Sequence, residues 1–119
     1  MRKKVLIVDD DPDILRLLGM VVEGEGFGVV LASDGINAME RFEEEEPDLV
    51  VLDVMMPRQD GWTTLEKMMT RPEPPGVVVL TAKRSPEDAL RAYELGARKY
   101  LTKPFDVDEL VSAIRTLAS

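Results

Sequence analysis

Five short runs of apolar, mostly β-branched residues recur along the chain, and segments with helical periodicity separate them. Most of the runs are continuous rather than alternating, which is typical of strands that are covered on both faces of a sheet. They lie at Lys4–Val8, Val29–Ala32, Leu49–Leu52, Val77–Leu80 and Lys99–Leu101. Strands that alternate with helices predict an α/β fold with a parallel sheet and right-handed crossovers.

The intervening segments place apolar residues three and four positions apart, as an amphipathic helix does. The predicted buried stripes are Ile14, Leu17, Leu18, Val21 and Val22 in the first helix, Ile36, Met39 and Phe42 in the second, Leu65, Met68 and Met69 in the third, Leu90 and Tyr93 in the fourth, and Val107, Leu110, Val111, Ile114 and Leu117 in the fifth. Asp11, directly before Pro12, is the predicted N-cap of the first helix, and Asp106 that of the last.

Length and composition exclude several classes of protein. With 119 residues the chain is long enough for one domain, and we expect residues 1–119 to form it without a second, output domain. Histidine and cysteine are both absent, which excludes histidine-based catalytic triads, disulfides and thiolate metal sites. The net charge of −8 argues against direct nucleic-acid binding. No apolar run approaches the roughly 20 residues of a membrane span or the length of a signal peptide core, so we expect a cytoplasmic protein without membrane contact.

Polar residues follow the predicted strands. Asp9 and Asp10 follow the first, Asp53 the third, Thr81 the fourth, and Lys103 comes just after the fifth. Because the carboxyl ends of parallel strands share one edge, these residues should converge in one crevice. Two carboxylates about 4 Å apart repel by roughly 4 kcal/mol, so a cluster of three requires a cation. Oxygen ligands alone favour a hard ion, Mg²⁺ above all, and Mg²⁺ beside a lysine and a hydroxyl is suited to holding a phosphoryl group.

Four motifs at these strand ends together resemble the receiver domain of bacterial two-component response regulators. They are "VDDDP", "LDVMMPRQDG", "VLTAK" and "YLTKPF", in that order. The resemblance extends from Lys3 to Ala118. It implies a flavodoxin-like three-layer fold, with a five-stranded parallel sheet of order 2-1-3-4-5 and five helices on both faces.

The resemblance also implies a phosphoacceptor and a metal site. Asp53 is similar to the residue that the family phosphorylates. Asp10 is similar to the direct Mg²⁺ ligand, and Asp9 to the acid that acts mainly through water. Asp53 and the backbone carbonyl of Met55 would complete the metal shell, with Mn²⁺ as a substitute ion.

Three further residues match the phosphoryl-binding and switch positions of the family. Lys103 would bind a phosphoryl oxygen, and Thr81 would move its hydroxyl toward the phosphoryl group on activation. Tyr100 resembles the aromatic residue that then turns inward. In this family the peptide bond between Lys103 and Pro104 is usually cis.

Two variable positions bear on the lifetime of the phosphoryl group. Met55 and Lys83 each lie two residues beyond a site residue and would flank the path of an attacking water. Because a methionine cannot orient water by hydrogen bonding, we expect slow self-dephosphorylation.

The expected partners are a sensor histidine kinase or phosphotransfer protein and an output domain or target protein outside this chain. A phosphorylation-dependent homodimer is a further expectation. Receivers joined to winged-helix domains often carry an acidic pair just before the tyrosine of the fifth strand, which matches basic residues on the fourth helix of a partner. Arg98 and Lys99 stand at that place here, which argues against a dimer of that kind.

Two other functions fit parts of the pattern. An aspartate-nucleophile phosphatase of the haloacid-dehalogenase type would use Asp9 as its nucleophile, although the chain has no room for a substrate cap domain. A receiver fold retained only for binding or dimerisation would not be phosphorylated. The complete set of polar site residues favours a phosphoacceptor signalling domain, not an enzyme, over both.

Overall fold

The structure is a computed structural model that describes residues 2–56 and 60–119. Strands and helices alternate along the whole of it. The strands are β1 (Lys4–Val8), β2 (Gly28–Ala32), β3 (Leu49–Leu52), β4 (Gly76–Thr81) and β5 (Lys99–Thr102). The helices are α1 (Pro12–Gly24), α2 (Gly35–Glu45), α3 (Gly61–Met68), α4 (Pro86–Glu94) and α5 (Val107–Ala118). Each predicted strand is present, with β4 and β5 each extending one residue further at the carboxyl end, to Thr81 and Thr102.

The five strands form one parallel sheet in the order β2-β1-β3-β4-β5, which confirms the predicted flavodoxin-like topology. The register aligns Val8 of β1 with Leu52 of β3, so the residues that follow them, Asp9 and Asp53, emerge side by side. Thr81 of β4 is aligned with Thr102 of β5, directly before Lys103. The register alone therefore brings the predicted site residues to one edge.

Two apolar cores lie on opposite faces of the sheet, because successive strand residues point to opposite sides. Leu6 and Leu52 pack with residues of α2, α3 and α4, including Phe42, in one core. Ile7 and Val51 pack with residues of α1 and α5 in the other. The molecule thus has the predicted three layers, with the sheet covered on both faces.

Some residues of the predicted stripes are exposed and not buried. They are Leu17, Ile36, Leu90, Tyr93 and Val107, with 41–59% of their surface accessible. Ile36 and Val107 lie in the first turns of their helices, past the carboxyl ends of the strands. Tyr93 accepts a hydrogen bond from the Tyr100 N–H at 3.1 Å, across the unpaired edge of β5. The helix period locates the buried face of the other four helices, but the stripe predicted for α4 is wrong, because Leu90 and Tyr93 are both exposed and Ala92 is the buried residue of that helix.

Polar caps begin each helix at the edge of the sheet that carries the site. Asp11 accepts hydrogen bonds from the N–H groups of Asp13 and Ile14 and is the N-cap of α1, as its position before Pro12 predicts. Asp106 is the N-cap of α5 in the same way. Within the described ranges, no helix combines the length and apolar character that crossing a membrane would need.

Candidate functional site

Two buried carboxylates share one lysine at the carboxyl edge of the sheet. The Lys103 ammonium lies 2.6 Å from Asp9 Oδ2 and 2.9 Å from Asp53 Oδ2. Asp9 is 1% exposed and Asp53 4% exposed, so solvent screens neither charge well. Charged groups this deeply buried need partners, and the single ammonium supplies one to both acids.

The second oxygen of each carboxylate is held by its own backbone. Asp9 Oδ1 accepts the N–H of Asp11, and Asp53 Oδ1 accepts the N–H of Met55, both at 2.9 Å. The two acids therefore have the same arrangement, with one oxygen fixed by the residue two positions on and the other by Lys103. This fixes the orientation of both carboxylates before any ligand binds.

Burial and charge pairing shift the pKa values of this group in opposing ways. Burial raises the pKa of Asp9 above its ordinary value, although the hydrogen bonds from Lys103 and Asp11 oppose the rise. Burial alone would lower the pKa of Lys103, but its hydrogen bonds to Asp53 and Asp9 outweigh that effect and raise it. The lysine is thus held in its charged form, as a cation facing two acids.

A third carboxylate, Asp10, completes a group of oxygens suited to a metal ion. One oxygen from each of Asp9, Asp10 and Asp53 lies within 4.8 Å of the other two. Opposite ligands of an octahedral Mg²⁺ ion are about 4.2 Å apart at metal–oxygen distances near 2.1 Å, so small side-chain movements would bring the three together. Asp10 is exposed, which leaves one side of the group open to water. The donors and their spacing fit a hard divalent cation.

The last residue of β4, Thr81, is joined to Lys103 through the backbone. Thr81 is fully buried, and its Oγ1 accepts the Lys83 N–H at 3.4 Å, while its carbonyl accepts the Lys103 N–H at 2.8 Å. Tyr100 is partly buried and donates its hydroxyl to the Lys83 carbonyl at 2.9 Å. Burial, together with the charges of Asp88 and Asp53, raises the pKa of Tyr100. The structure therefore connects the predicted switch residues through the loop that follows β4.

The remaining predicted positions lie in the segments that follow β3, β4 and β5. Met55 is 49% exposed next to Asp53, and Lys83 lies in the loop after β4. The peptide bond between Lys103 and Pro104 is cis. The "PRQ" part of the third motif, positions 57–59, lies outside the described residues.

Two arginine contacts were not predicted from the sequence. The Arg84 guanidinium donates a hydrogen bond to the backbone carbonyl of Lys103. The Arg91 guanidinium lies 4.5 Å from the ring centre of Trp62, which is 7% exposed. Both arginines lie in polar segments without a motif, so no sequence signal distinguishes them from solvated surface residues.

Comparison with known protein families and proteins gives matches over almost the entire chain. A family model described as the response regulator receiver domain matches residues 5–115. Among curated proteins, the alkaline phosphatase synthesis transcriptional regulatory protein PhoP of Bacillus subtilis (strain 168) is 39% identical over 117 residues. The match covers 98% of this chain and 49% of PhoP, so the chain spans about half the length of that relative.

Solved structures match the fold over a similar extent. The receiver domain of the Francisella response regulator 1452 is 33% identical, with a TM-score of 0.91 and coverage of 98% of this chain and 96% of that one. A CheY-like response regulator receiver domain protein from Methanospirillum hungatei JF-1 is 30% identical, with a TM-score of 0.91 and coverage of 98% and 93%.

Proposed function

The chain belongs to the response regulator receiver domain family, and on that premise we propose that it accepts a phosphoryl group on Asp53. The donor is the phosphohistidine of a sensor kinase or phosphotransfer protein, or a small acyl phosphate. One observation carries the proposal: the buried carboxylates of Asp9 and Asp53 converge on the Lys103 ammonium, beside Thr81 at the carboxyl edge of the sheet.

The proposed reaction is an in-line displacement at phosphorus. An Asp53 oxygen forms the new O–P bond while the bond from phosphorus to the donor nitrogen or oxygen breaks, and the leaving group departs with that electron pair. Lys103, already 2.9 Å from Asp53 Oδ2, neutralises charge on a phosphoryl oxygen. Thr81 supplies a hydroxyl donor to another. The protein's contribution is chiefly orientation and charge, since Asp53 itself is the nucleophile.

The proposed metal is Mg²⁺, or Mn²⁺ in its place, which would offset the charge of the phosphoryl oxygens when bound. Asp10 and Asp53 would hold the ion directly, Asp9 mainly through water, and the Met55 carbonyl would add a backbone ligand. The exposed position of Asp10 supports this assignment, as do the carboxylate oxygens of the three acids, which lie within 4.8 Å of one another. Lys103 would then turn from the acids toward the incoming phosphoryl group.

The proposed output is a change in the surface formed by α4 and β5. A charged phosphoryl group on Asp53 would draw the Thr81 hydroxyl inward, and Tyr100 would follow into the vacated space. The hydrogen bond from Tyr100 to the Lys83 carbonyl supports this coupling, because it ties β5 to the loop that would move.

The proposed partners are a kinase, an output domain or target protein, and a second copy of the chain in a homodimer formed on phosphorylation. We propose that these contacts occur in the cytoplasm, without direct nucleic-acid or membrane contact. We further propose that residues 1–119 act as one receiver domain, which assists its own phosphorylation and dephosphorylation but is not a turnover enzyme.

The experiment is incubation with acetyl phosphate and Mg²⁺, followed by intact mass and mapping of the modified residue. We expect a single phosphoryl adduct on Asp53, abolished by Asp53→Asn and retained in the exposed-acid control Asp13→Asn. An adduct that survives Asp53→Asn at full yield would refute the proposal. A label on Asp9 would instead support the phosphatase alternative, and no adduct at all would support a binding module.

The lifetime of the adduct is a second measurable quantity. The exposed side chain of Met55 has no group that orients water by hydrogen bonding, and Lys83 lies beside the same path. We therefore propose slow hydrolysis in the wild type and faster hydrolysis in Met55→Asn, followed as decay of the adduct after removal of the donor. Equal decay rates in the two proteins would contradict this assignment.

A further inference from the structure

The loop between β4 and α4 is tied to the segment around Lys103 by an arginine outside every recognised motif. The Arg84 guanidinium donates a hydrogen bond to the Lys103 backbone carbonyl. Arg84 directly precedes Ser85, the N-cap residue of α4, so this contact links the start of a helix to the turn after β5. The two residues are 19 positions apart, and only the tertiary fold brings them together.

Lys103 is consequently held at both ends of its backbone. On one side its N–H donates to the Thr81 carbonyl at 2.8 Å, which extends the pairing of β4 and β5 by one residue. On the other side its carbonyl accepts from Arg84. Beyond Lys103 the regular sheet has ended and α5 has not begun, so Arg84 supplies the fixation that strand pairing no longer provides.

The position of this backbone matters because of what the side chain must reach. The ammonium lies within hydrogen-bond distance of two buried carboxylates, on Asp9 and Asp53, at the end of a flexible four-carbon stem. A shift of the Lys103 backbone would move the ammonium away from at least one of these partners. A guanidinium suits the anchoring role because its planar group of donors loses little rotational freedom on binding an acceptor.

We propose that Arg84 is a positioning residue for Lys103. It acts through the Lys103 carbonyl, and it sets the placement of the ammonium that meets the phosphoryl group. The expected effect of Arg84 on the phosphorylation rate rests on the proposed function, whereas its expected effect on the placement of the Lys103 ammonium does not.

The kinetic test compares Arg84→Met with Arg98→Met, using acetyl phosphate in Mg²⁺ as donor. Arg98 is an exposed arginine at the opposite edge of the sheet, so its replacement removes the same charge without touching Lys103. We expect Arg84→Met to slow phosphorylation on the order of tenfold, since misplacement of a reacting group by less than an ångström is costly. Arg98→Met should phosphorylate at the wild-type rate, and Arg84→Lys, which keeps a donor and the charge, should recover part of the loss.

A second comparison separates positioning from a general effect. In a Lys103→Met background, Arg84→Met should cause no further loss of rate, because the group it positions is already gone. A full additional loss in that background would overturn the inference. An equal loss in Arg98→Met would overturn it as well, because the effect would then arise from charge alone.

The structural readout does not require phosphorylation. In metal-free protein, ¹⁵N NMR gives the rate at which the Lys103 ammonium protons exchange with water. We expect faster exchange in Arg84→Met than in the wild type or Arg98→Met, with urea unfolding as a check that all three are folded. Unchanged exchange would overturn the inference. If the wild type accepts no phosphoryl group, the proposed function fails, but this readout still decides the role of Arg84.

Discussion

Replacing Lys103 with methionine tests the electrostatic design of the site most directly. Methionine approximates the length of the lysine stem but carries no charge. In the wild type the Lys103 side chain is 17% exposed, and its ammonium is the shared partner of the Asp9 and Asp53 side chains, which are 2% and 6% exposed. The substitution therefore leaves two buried carboxylates facing one another without a cation.

The expected loss of stability follows from the distances. Both Oδ2 atoms lie within 2.9 Å of one nitrogen, so they are less than about 6 Å apart. At an effective dielectric constant near 20, two unit charges at that separation repel by roughly 3 kcal/mol. Removing one partner of a buried ion pair typically costs about 3–5 kcal/mol. We expect Lys103→Met to lower the free energy of unfolding by about 3 kcal/mol at neutral pH without metal.

Both Mg²⁺ and acid should reverse this loss. A bound divalent cation takes over the neutralising role, so the deficit should fall below about 1 kcal/mol in saturating Mg²⁺. Burial raises the pKa of Asp9, and loss of the opposing Lys103 hydrogen bond would raise it further. The folded state then binds a proton more readily than the unfolded chain does. The deficit is therefore fully present above the raised folded-state pKa and shrinks as the pH falls from there toward the ordinary value of an aspartate.

The assay is urea unfolding followed by circular dichroism, with EDTA or with Mg²⁺, at a series of pH values. The control for loss of a positive charge is Lys99→Met, which replaces an exposed lysine of β5, the strand that directly precedes Lys103. A deficit in Lys103→Met that is the same with EDTA and with Mg²⁺ would refute the reasoning, because it would show that Lys103 contributes packing and not charge.

Three other substitutions test separate parts of the structure. Gly61→Ala should destabilise by about 3 kcal/mol or more in urea unfolding, because a Cβ there would lie 2.1 Å from the Val54 Cα; a loss below about 1 kcal/mol would contradict this contact. Asp11→Ala should lower the free energy of unfolding by about 1 kcal/mol through loss of the α1 cap, and an unchanged urea midpoint would exclude that role. Arg91 of α4 lies over the ring of Trp62, the only tryptophan, so a movement of α4 on phosphorylation should change the tryptophan fluorescence. This fluorescence change should be smaller in Arg91→Ala. A change of the same size in Arg91→Ala would show that the Arg91 contact does not cause it.

The sequence by itself determined the fold class and the main residues of the candidate site. Continuous, mostly β-branched runs are typical of strands covered on both faces, and their alternation with helical segments indicates a parallel sheet with crossover helices. Parallel strands bring their carboxyl ends to one edge, so Asp9, Asp53 and Thr81 could be placed together from their positions alone. The role of Asp11 as a helix cap could also be predicted from the sequence, because it depends only on backbone groups two and three residues away.

Only the tertiary structure decided how these residues divide their contacts. Whether Lys103 pairs with one acid or two depends on the register of β1 and β3 and on distances below 3 Å, which no periodicity encodes. The contact of Arg84 with the Lys103 carbonyl could not be predicted from the sequence either, because every residue has a backbone carbonyl and the sequence does not indicate which one accepts. Local patterns report which face of an element is apolar, whereas partners that are distant in the chain are chosen by the packing of all the elements together.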